Sequence, residues 1–269
     1  MAKPLVSDEL WQLIHPLLPP KAPKPNGGRP RVPDRAALEG ILYVLKTGIG
    51  WEHLPHELGY GSGMTCWRRL RDWHAAGVFT RLHQVLLDRM AQANQLDWTR
   101  ACVDSTSVPA APGGAQTGPN PTDRGRPGSK RHVIVDGCGT PLAVLISPAN
   151  RHDSMLFEPL LNAVPPIHNG LRGRPRSRPE RLHADKAYDI PRCRRACHQR
   201  GIKVRIARRG RESSERLGRH RWVVERTLAW FSRFRRLRVR YEVRADIHLA
   251  FTQLACCLIT FKQHLRLLR

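Results

Sequence analysis

Apolar residues in the first hundred positions recur at helical spacing. They predict a first helix over residues 7–18, a second that begins near Asp34, a third that begins near Ser62 and a fourth over residues 79–96. Asp and Ser at three of these starts are residues that commonly cap a helix. We therefore expect a small all-α domain over residues 1–98.

From about residue 99 the pattern changes to alternating strands and helices. Short apolar or alternating runs predict five strands, in the order ACVDSTSV, RHVIVDG, PLAVLIS, RLHAD and IKVRIA. Helices are expected between the third and fourth strands, between the fourth and fifth, and over residues 218–234 and 245–267. This is the element order of the RNase H-like α/β fold. We expect such a domain, with a mixed five-stranded sheet and flanking helices, over residues 99–269.

Two segments carry no clear apolar periodicity. Residues 18–33 are rich in Pro and Gly and basic, which predicts an extended arm. The connection between the first two strands, about residues 107–132, is too long for an ordinary hairpin, and loops of that length are usually functional or disordered. Lys130, Arg131 and His132, at its end, are candidates to contact phosphates.

The chain is strongly basic. Lys and Arg number 46 against 22 Asp and Glu, so the formal net charge is +24. Residues 171–245 hold 25 of the cations and only 7 acids. Repulsion on this scale is relieved when phosphates neutralise it, so the composition indicates a polyanionic partner. A solvated basic face, RNA and an anionic membrane surface are the alternatives to DNA.

Several features bear on the compartment. No apolar stretch has the length of a membrane span, and the N-terminus lacks a signal-peptide pattern. The seven cysteines form no CxxC pair, which is simplest in a reducing compartment. Cys193, Cys197 and His198 lack the second ligand pair that a zinc site needs. We expect a cytoplasmic protein.

The predicted second and third helices have the outline of a helix-turn-helix. Arg68, Arg69 and Arg71 are expected on the outer face of the third helix, and Trp67 and Trp73 are available for a core. A plain three-helix packing unit has the same outline. The arginines are therefore candidates for DNA contact, with a structural role as the alternative.

Three acids stand out in this basic chain. Asp104 follows apolar residues within a strand, where an unpaired carboxylate is expensive to bury. Asp185 ends a strand, at the edge where α/β proteins place their sites, and Glu225 lies in a helix one turn after Arg221. Hard divalent cations such as Mg²⁺ prefer carboxylate oxygens, so three acids from separate elements fit a site for metal-assisted phosphodiester chemistry.

Each acid also has a structural interpretation. Asp104 could cap a turn, Asp185 could pair with a nearby arginine, and Glu225 could be a surface partner of Arg221. We interpret three further acids as structural. They are Asp136 in a hairpin turn, Asp153 as a helix N-cap and Asp189 as the cap before Pro191.

Long motifs in this sequence resemble those of bacterial insertion-sequence transposases, specifically the insertion-sequence-five family of DDE enzymes. They are VDSTSV, NPTDRGRPGSKRHVIVDG, ANRHDS, HADKAYD and RWVVERTLAWFSRFRRLRVRYE, together with GRPR, GIGWEHLP and WRRLRDWH in the N-terminal part. The similarity extends over essentially the whole chain. The family's metal-binding acids fall on Asp104, Asp185 and Glu225.

The resemblance implies a reaction and partners. It implies cleavage at the ends of an insertion sequence and transfer of the freed 3′-hydroxyl into target DNA, with two Mg²⁺ ions for which Mn²⁺ can substitute. It further implies binding of double-stranded DNA at terminal inverted repeats and at the target, a homodimer or larger assembly on DNA, and association with the bacterial nucleoid. Candidates for phosphate contacts are Lys130, His132, Arg221 and Arg233.

The sequence departs from the family at two flanking positions. Broader relatives carry Tyr three residues before the Arg and Lys seven residues after the Glu, whereas Gly218 and Ser232 stand here. Arg233, one residue further on, is a candidate to supply the basic contact. Two other functions remain open: a non-catalytic DNA-binding regulator, and a nuclease of the same fold that cleaves without joining.

Overall fold

A computed structural model describes residues 4–20, 30–208, 210 and 214–267. The central part of the predicted arm, residues 21–29, lies outside the described residues. The α-helices are α1 (Asp8–Ile14), α2 (Asp34–Thr47), α3 (Gly63–Ala75), α4 (Val78–Gln92), α5 (Ser154–Asn162), α6 (Pro191–Gln199), α7 (Ser214–Phe231) and α8 (Ala245–Leu267). The strands are β1 (Ala101–Pro109), β2 (Gly118–Pro119), β3 (Pro127–Asp136), β4 (Pro141–Pro148), β5 (Arg181–Ala184) and β6 (Lys203–Ile206).

The predicted caps explain where some of the N-terminal helices begin. The Ser7 hydroxyl accepts a hydrogen bond from the Leu10 backbone N–H at the start of α1, and the Ser62 hydroxyl accepts one from Thr65 N at the start of α3. Helix α2 differs, because Pro33 occupies the cap position and Asp34 is already helical. The Asp34 carboxylate instead pairs with Arg69 on α3, at 3.4 Å.

The sheet has the strand order of an RNase H-like fold. Leaving aside the two-residue β2, the order from edge to edge is β4-β3-β1-β5-β6. Strand β3 is antiparallel to both neighbours, whereas β1, β5 and β6 are parallel. Helices lie on the sheet in the order predicted from the sequence, so the predicted α/β fold class is confirmed.

Two differences concern the connection between the first strands. Strands β1 and β3 extend further than the apolar pattern indicated, so the connection shortens to residues 110–126. Within it, β2 pairs with the first residues of β3. The buried Arg240 side chain donates to the carbonyl oxygens of Ala115 and Gln116, and its backbone N–H donates to the carbonyl oxygen of Pro109. The connection is thus held against the segment that leads into α8.

Helical packing joins the two ends of the chain. One hydrophobic cluster contains the apolar faces of α1–α4 together with those of α7 and α8, and the Trp51 ring stacks on Phe251 with 5.5 Å between ring centroids. A second cluster covers the other face of the sheet with α5 and α6. The N-terminal helices therefore rest on the sheet domain through α8. The division between residues 98 and 99 stays a prediction.

Two sequence expectations concern features outside the site. None of the seven cysteines forms a disulfide. Among the described residues, no helix combines the length and the apolar character needed to span a bilayer.

Candidate active site

Asp104 lies on β1, and Asp185 directly follows the neighbouring parallel strand β5. The ladder between β1 and β5 pairs Ala101 with Leu182 and Cys102 with His183. Continued by two residues, this register sets Asp104 beside Asp185, just past the end of β5. Adjacent strands are about 4.8 Å apart and residues at matching positions share a face. The two carboxylates thus lie side by side at the central strands, near the carboxyl end of β5.

The Asp104 carboxylate is mostly buried and paired with a distant arginine. Its Oδ2 accepts a hydrogen bond from Arg221 Nη2 at 3.1 Å, and its Oδ1 accepts one from the Ser105 backbone N–H at 2.8 Å. Burial raises the pKa of Asp104 and the nearby Asp185 raises it further, while Arg221 lowers it. The carboxylate is thus held in an environment where a cation stabilises its charged form.

Glu225 reaches the same arginine from α7. Its Oε1 lies 4.0 Å from Arg221 Nη2, the nitrogen that also contacts Asp104. The Glu225 side chain is 59% exposed, whereas the Arg221 side chain is 15% exposed. One guanidinium nitrogen therefore lies between two of the three predicted acids.

Asp185 is fixed by the turn that follows β5. Its Oδ1 accepts a hydrogen bond from the Ala187 backbone N–H at 3.0 Å, at the start of the short 3₁₀ helix Lys186–Tyr188. In the described part of the chain, no group of three or more His, Cys, Asp or Glu side chains already converges as a metal cage. The cation between Asp104 and Glu225 in this arrangement is the Arg221 side chain.

The chain matches two protein families. Residues 98–260, more than half of the chain, match the family described as the transposase DDE domain. Residues 6–83 match the family described as transposases of the IS4/5 family. The chain belongs to the DDE transposase family.

Two relatives from Burkholderia cepacia agree with this assignment. The protein named as transposase for insertion sequence element IS402 is 56% identical over 147 residues, which are 55% of this chain and 69% of that protein. An uncharacterized 16.2 kDa protein of the same element is 58% identical over 123 residues, which are 45% of this chain and 84% of that protein. Among solved structures, the catalytic domain of the Mos1 mariner transposase aligns with a TM-score of 0.29 at 9% identity, over 69% of this chain and 92% of that domain.

The predicted resemblance to insertion-sequence DDE transposases is thereby confirmed. This transposase is an enzyme of DNA transposition, and DDE transposases cleave and join phosphodiester bonds with a divalent metal. The donor set near the carboxyl end of β5 suits such a metal, because its oxygen ligands come from carboxylates.

Sequence reasoning missed a set of polar contacts beside Asp104. Asp153 was interpreted as a helix N-cap, but its side chain makes no capping hydrogen bond to α5. Its Oδ1 instead accepts from Ser105 Oγ and from Lys130 Nζ, both at 2.9 Å. Lys130, predicted to contact phosphate, is thus engaged with Asp153.

Tyr188 is the other residue that sequence reasoning missed. It is buried on the short helix after Asp185, and burial raises the pKa of its hydroxyl, with Asp153, Asp104 and Asp185 adding to the rise. Its position three residues after Asp185 in HADKAYD was the available signal. Tyr188 packs against Phe157 of α5, with ring centroids 5.5 Å apart, so it joins that helix to the turn that carries Asp185.

His132 requires a correction. It was a candidate for phosphate contact, but it is 1% exposed and its Nε2 is hydrogen bonded to Ser147 Oγ at 2.8 Å. Burial lowers the pKa of His132 to about 4, so the ring is neutral at physiological pH. Because the ring is buried and bonded to Ser147, it is not placed to contact a phosphate. The neighbouring Arg131 is also 1% exposed, so the same correction applies to it.

The remaining predicted cations occupy varied environments. Arg68 is exposed on α3, Arg69 pairs with Asp34, and Arg71 pairs with Asp72 at 2.7 Å and lies over the Trp67 ring. Arg233 is exposed in the turn after α7 and makes no ion pair with an acid whose side chain is described. Of these four, Arg68 and Arg233 are the most available to a ligand.

Two acids interpreted as structural are indeed outside the cluster. Asp136 is buried in the hairpin turn, where its Oδ1 accepts from the backbone N–H groups of Cys138 and Thr140. Asp189 is not the cap of α6, because Ile190 occupies that position. The Asp189 carboxylate accepts two hydrogen bonds from the Arg194 guanidinium. Both still serve the fold, as expected, by holding their own turn or helix in place.

Proposed function

We propose that Asp104, Asp185 and Glu225 hold the divalent metal of this transposase. In this proposal the metal is a pair of Mg²⁺ ions, for which Mn²⁺ can substitute, and the reaction is cleavage at insertion-sequence ends followed by strand transfer into target DNA. One observation carries the proposal: Asp104 lies beside Asp185 in the strand register and shares the Arg221 guanidinium with Glu225.

The chemistry of the donor set supports a cation at this place. Asp104 and Glu225 already contact one positive group, and the nearby Asp185 raises the pKa of Asp104. Carboxylates that are brought together repel one another unless a cation neutralises them. When bound, a pair of metal ions neutralises the phosphoryl oxygens, activates the attacking oxygen and stabilises the leaving oxygen.

Glu225 has the freedom that the proposal requires. Its exposed side chain can turn toward the two aspartates, while Asp104 and Asp185 are fixed by hydrogen bonds to backbone N–H groups. Arg221 then exchanges its contact with Asp104 for a phosphate oxygen of the DNA, to which a guanidinium can donate two parallel hydrogen bonds. Arg233 is our candidate for a second phosphate contact.

The two chemical steps are balanced without an oxidant or a covalent enzyme intermediate. In the first, a water oxygen attacks the phosphorus at the element end and the bond to the 3′ oxygen breaks, which leaves a 3′-hydroxyl and a 5′-phosphate. In the second, that hydroxyl attacks a target phosphodiester and displaces the target's 3′ oxygen. A free 3′-hydroxyl on the target is the product, so the number of phosphodiester bonds is conserved in the joining step.

The helical domain, residues 1–98, is our candidate for holding the terminal inverted repeats. An open groove of about 900 Å³ lies at the start of α3, lined by Arg31, His56, Thr65, Arg68 and Arg69. Basic and hydroxyl side chains around a helix start are suited to phosphate oxygens. Both ends of an element must be brought together for transposition, so we propose a homodimer or larger assembly on double-stranded DNA.

The experiment that tests the proposal compares Asp185→Asn with wild type on DNA that carries the element's ends. We expect metal-dependent nicking to fall at least about a hundredfold, equivalent to about 3 kcal/mol, while DNA affinity changes little. Glu158→Gln is the matched control, since it makes the same change from carboxylate to amide on α5. Nicking by Asp185→Asn at the wild-type rate would remove Asp185 from the site.

Scoring nicking and joining separately distinguishes the other functions. Nicking without strand transfer by wild type would indicate a nuclease of this fold. Tight DNA binding with neither activity would indicate a regulator. Both products, dependent on Mg²⁺ or Mn²⁺, are expected from the proposed function.

A further inference from the structure

An arginine-rich loop lies at the end of β5 that is opposite the carboxylates. Residues 171–181 lead into β5 and contain five arginines and a single acid, Glu180. All five are exposed: Arg172, Arg174, Arg176, Arg178 and Arg181. None of them belongs to the site described above.

The backbone of this loop is anchored to the domain. Arg176 and the buried Ile167 exchange two backbone hydrogen bonds, of 2.8 Å and 2.9 Å. The Arg176 guanidinium lies over the Trp98 ring, 5.3 Å from its centroid, and Arg178 Nη1 donates to the carbonyl oxygen of Arg200 at 2.9 Å. A ligand that binds an anchored loop meets a smaller ordering cost than one that binds a free chain.

Most of the charge in this loop is not paired with an acid whose side chain the structure describes. Arg176 pairs with Glu180 at 3.5 Å, and it is the one arginine of the five that forms an ion pair in the part of the chain that the structure describes. Lys203 adds to the charge, because the β5–β6 ladder sets it beside Arg181 and both are exposed. The arginine surface, as we name it, is formed by Arg172, Arg174, Arg178, Arg181 and Lys203.

The spacing of the surface suits a phosphate backbone. Residues 174–179 run without a turn, and alternate residues of an extended chain recur on one side about every 6.6 Å. Phosphates of one DNA strand recur about every 3.4 Å along the helix axis, and further apart along the curved strand. Arg174 and Arg178, two such intervals apart and so about 13 Å from each other, can contact two non-adjacent phosphates of one strand with planar, two-pronged donors.

The surface is separate from the bond that is cleaved. Strand β5 begins at Arg181, and Asp185 follows its last residue, so the length of the strand separates the arginine surface from Asp185. Four residues of strand correspond to about 13 Å. A phosphate at the carboxylates cannot also be the phosphate held by Arg174 or Arg178.

We propose that the arginine surface binds the phosphate backbone of duplex DNA away from the cleavage site. The proposal rests on the proposed function, since it gives the DNA of that reaction a second point of attachment. Contact with phosphates alone carries no sequence information. The surface therefore contributes affinity and fixes the orientation of the duplex, and it does not recognise the sequence of the element's end.

The test is a triple variant, Arg172→Gln, Arg174→Gln and Arg178→Gln, in the full chain. We expect affinity for a duplex of unrelated sequence to fall at least about tenfold at physiological salt. The slope of log affinity against log salt should become shallower by about 0.9 for each phosphate contact that the substitutions remove. Nicking of end DNA at saturating protein and low salt should stay within about twofold of wild type, because the carboxylates are untouched.

The matched control replaces the same three residues with Lys. It keeps the charge, so the salt slope should match wild type. An unchanged slope in the Gln variant would overturn the proposal, and so would an equal loss of affinity in the Lys variant. The proposal would also be overturned if the Gln variant lost affinity for duplex RNA but kept its affinity for duplex DNA.

Two further arms keep the test decisive. If the triple variant unfolds at a lower temperature than wild type, the single variant Arg172→Gln is measured instead. Arg172 is exposed in the bend at residues 171–173. Its replacement should make the slope of log affinity against log salt shallower by about 0.9. Absence of nicking by wild type would count against the proposed function only. The salt slope reports on the arginine surface independently of catalysis.

Discussion

Arg221 Nη2 lies 3.1 Å from Asp104 Oδ2, although 117 positions separate the two residues in the chain. This ion pair connects α7 to the middle of β1. It thereby places Glu225, one helical turn further on, near Asp104. It also neutralises a carboxylate that is mostly buried. The same contact thus explains both the position of the third acid and how the charge of the buried Asp104 carboxylate is compensated.

Removing the Arg221 charge should destabilise the protein in a way that depends on pH. Arg221→Gln leaves Asp104 buried without its cation, and we expect a loss of about 1–3 kcal/mol in the free energy of unfolding at pH 7. Burial already raises the pKa of Asp104, and removal of Arg221 raises it further. The loss should shrink as the pH falls and Asp104 becomes protonated. Urea unfolding at pH 4.5 and pH 7 measures the difference.

Arg226→Gln is the control for this prediction. Arg226 lies on the same helix, but it donates to the carbonyl oxygen of Cys138, which does not titrate. Its loss of stability should therefore be similar at both pH values. A loss in Arg221→Gln that is equally independent of pH would contradict the pairing with Asp104.

Asp136 should make stability fall as the pH rises toward neutrality. Burial raises the pKa of this carboxyl from 3.8 to about 6. A group with a raised folded pKa contributes its full stability below its unfolded pKa, and that contribution is lost as the pH rises through the folded value. Between pH 4 and pH 6, wild type should therefore lose up to about 3 kcal/mol relative to Asp136→Asn.

The measurement is urea unfolding of both proteins at several pH values. The amide in Asp136→Asn cannot accept from every N–H group that the carboxylate accepts from, so the variant should carry a constant loss on top of the pH-dependent difference. A difference that stays constant from pH 4 to pH 7 would show that Asp136 is ionised throughout.

His132 should contribute to stability and not to DNA binding. His132→Gln removes the hydrogen bond to Ser147 Oγ, so the free energy of unfolding should fall by about 1 kcal/mol. DNA affinity should stay within about twofold of wild type at both pH 7.5 and pH 6, because the pKa of about 4 leaves the ring uncharged at either pH. If wild-type affinity rises between these pH values and the variant lacks that rise, His132 is a charged contact after all.

The apolar pattern was sufficient to predict the fold class and to select two of the three proposed acids. The strand order follows from the alternation of strands and helices after residue 99, and Asp104 and Asp185 could be selected because each ends or interrupts an apolar strand. Glu225 needed the family motif as well, since an exposed Glu four residues after an Arg is common on any helix.

The polar neighbours of the acids could not be predicted in the same way. Strand β3 is buried on both faces, so its polar residues do not alternate with apolar ones, and His132 appeared to be exposed. Asp153 precedes a helix, which is the usual position of a capping residue, but its real partners come from β1 and β3. Such pairings depend on which strands become neighbours, and local sequence does not contain that information.

Metal binding measured in the presence of end DNA tests the central claim most directly. Wild type should bind two Mn²⁺ ions per active site, as counted by titration with electron paramagnetic resonance, and Glu158→Gln should match it. Each of Asp104→Asn, Asp185→Asn and Glu225→Gln should lose at least one ion. Wild-type stoichiometry and affinity in all three variants would contradict the shared metal site.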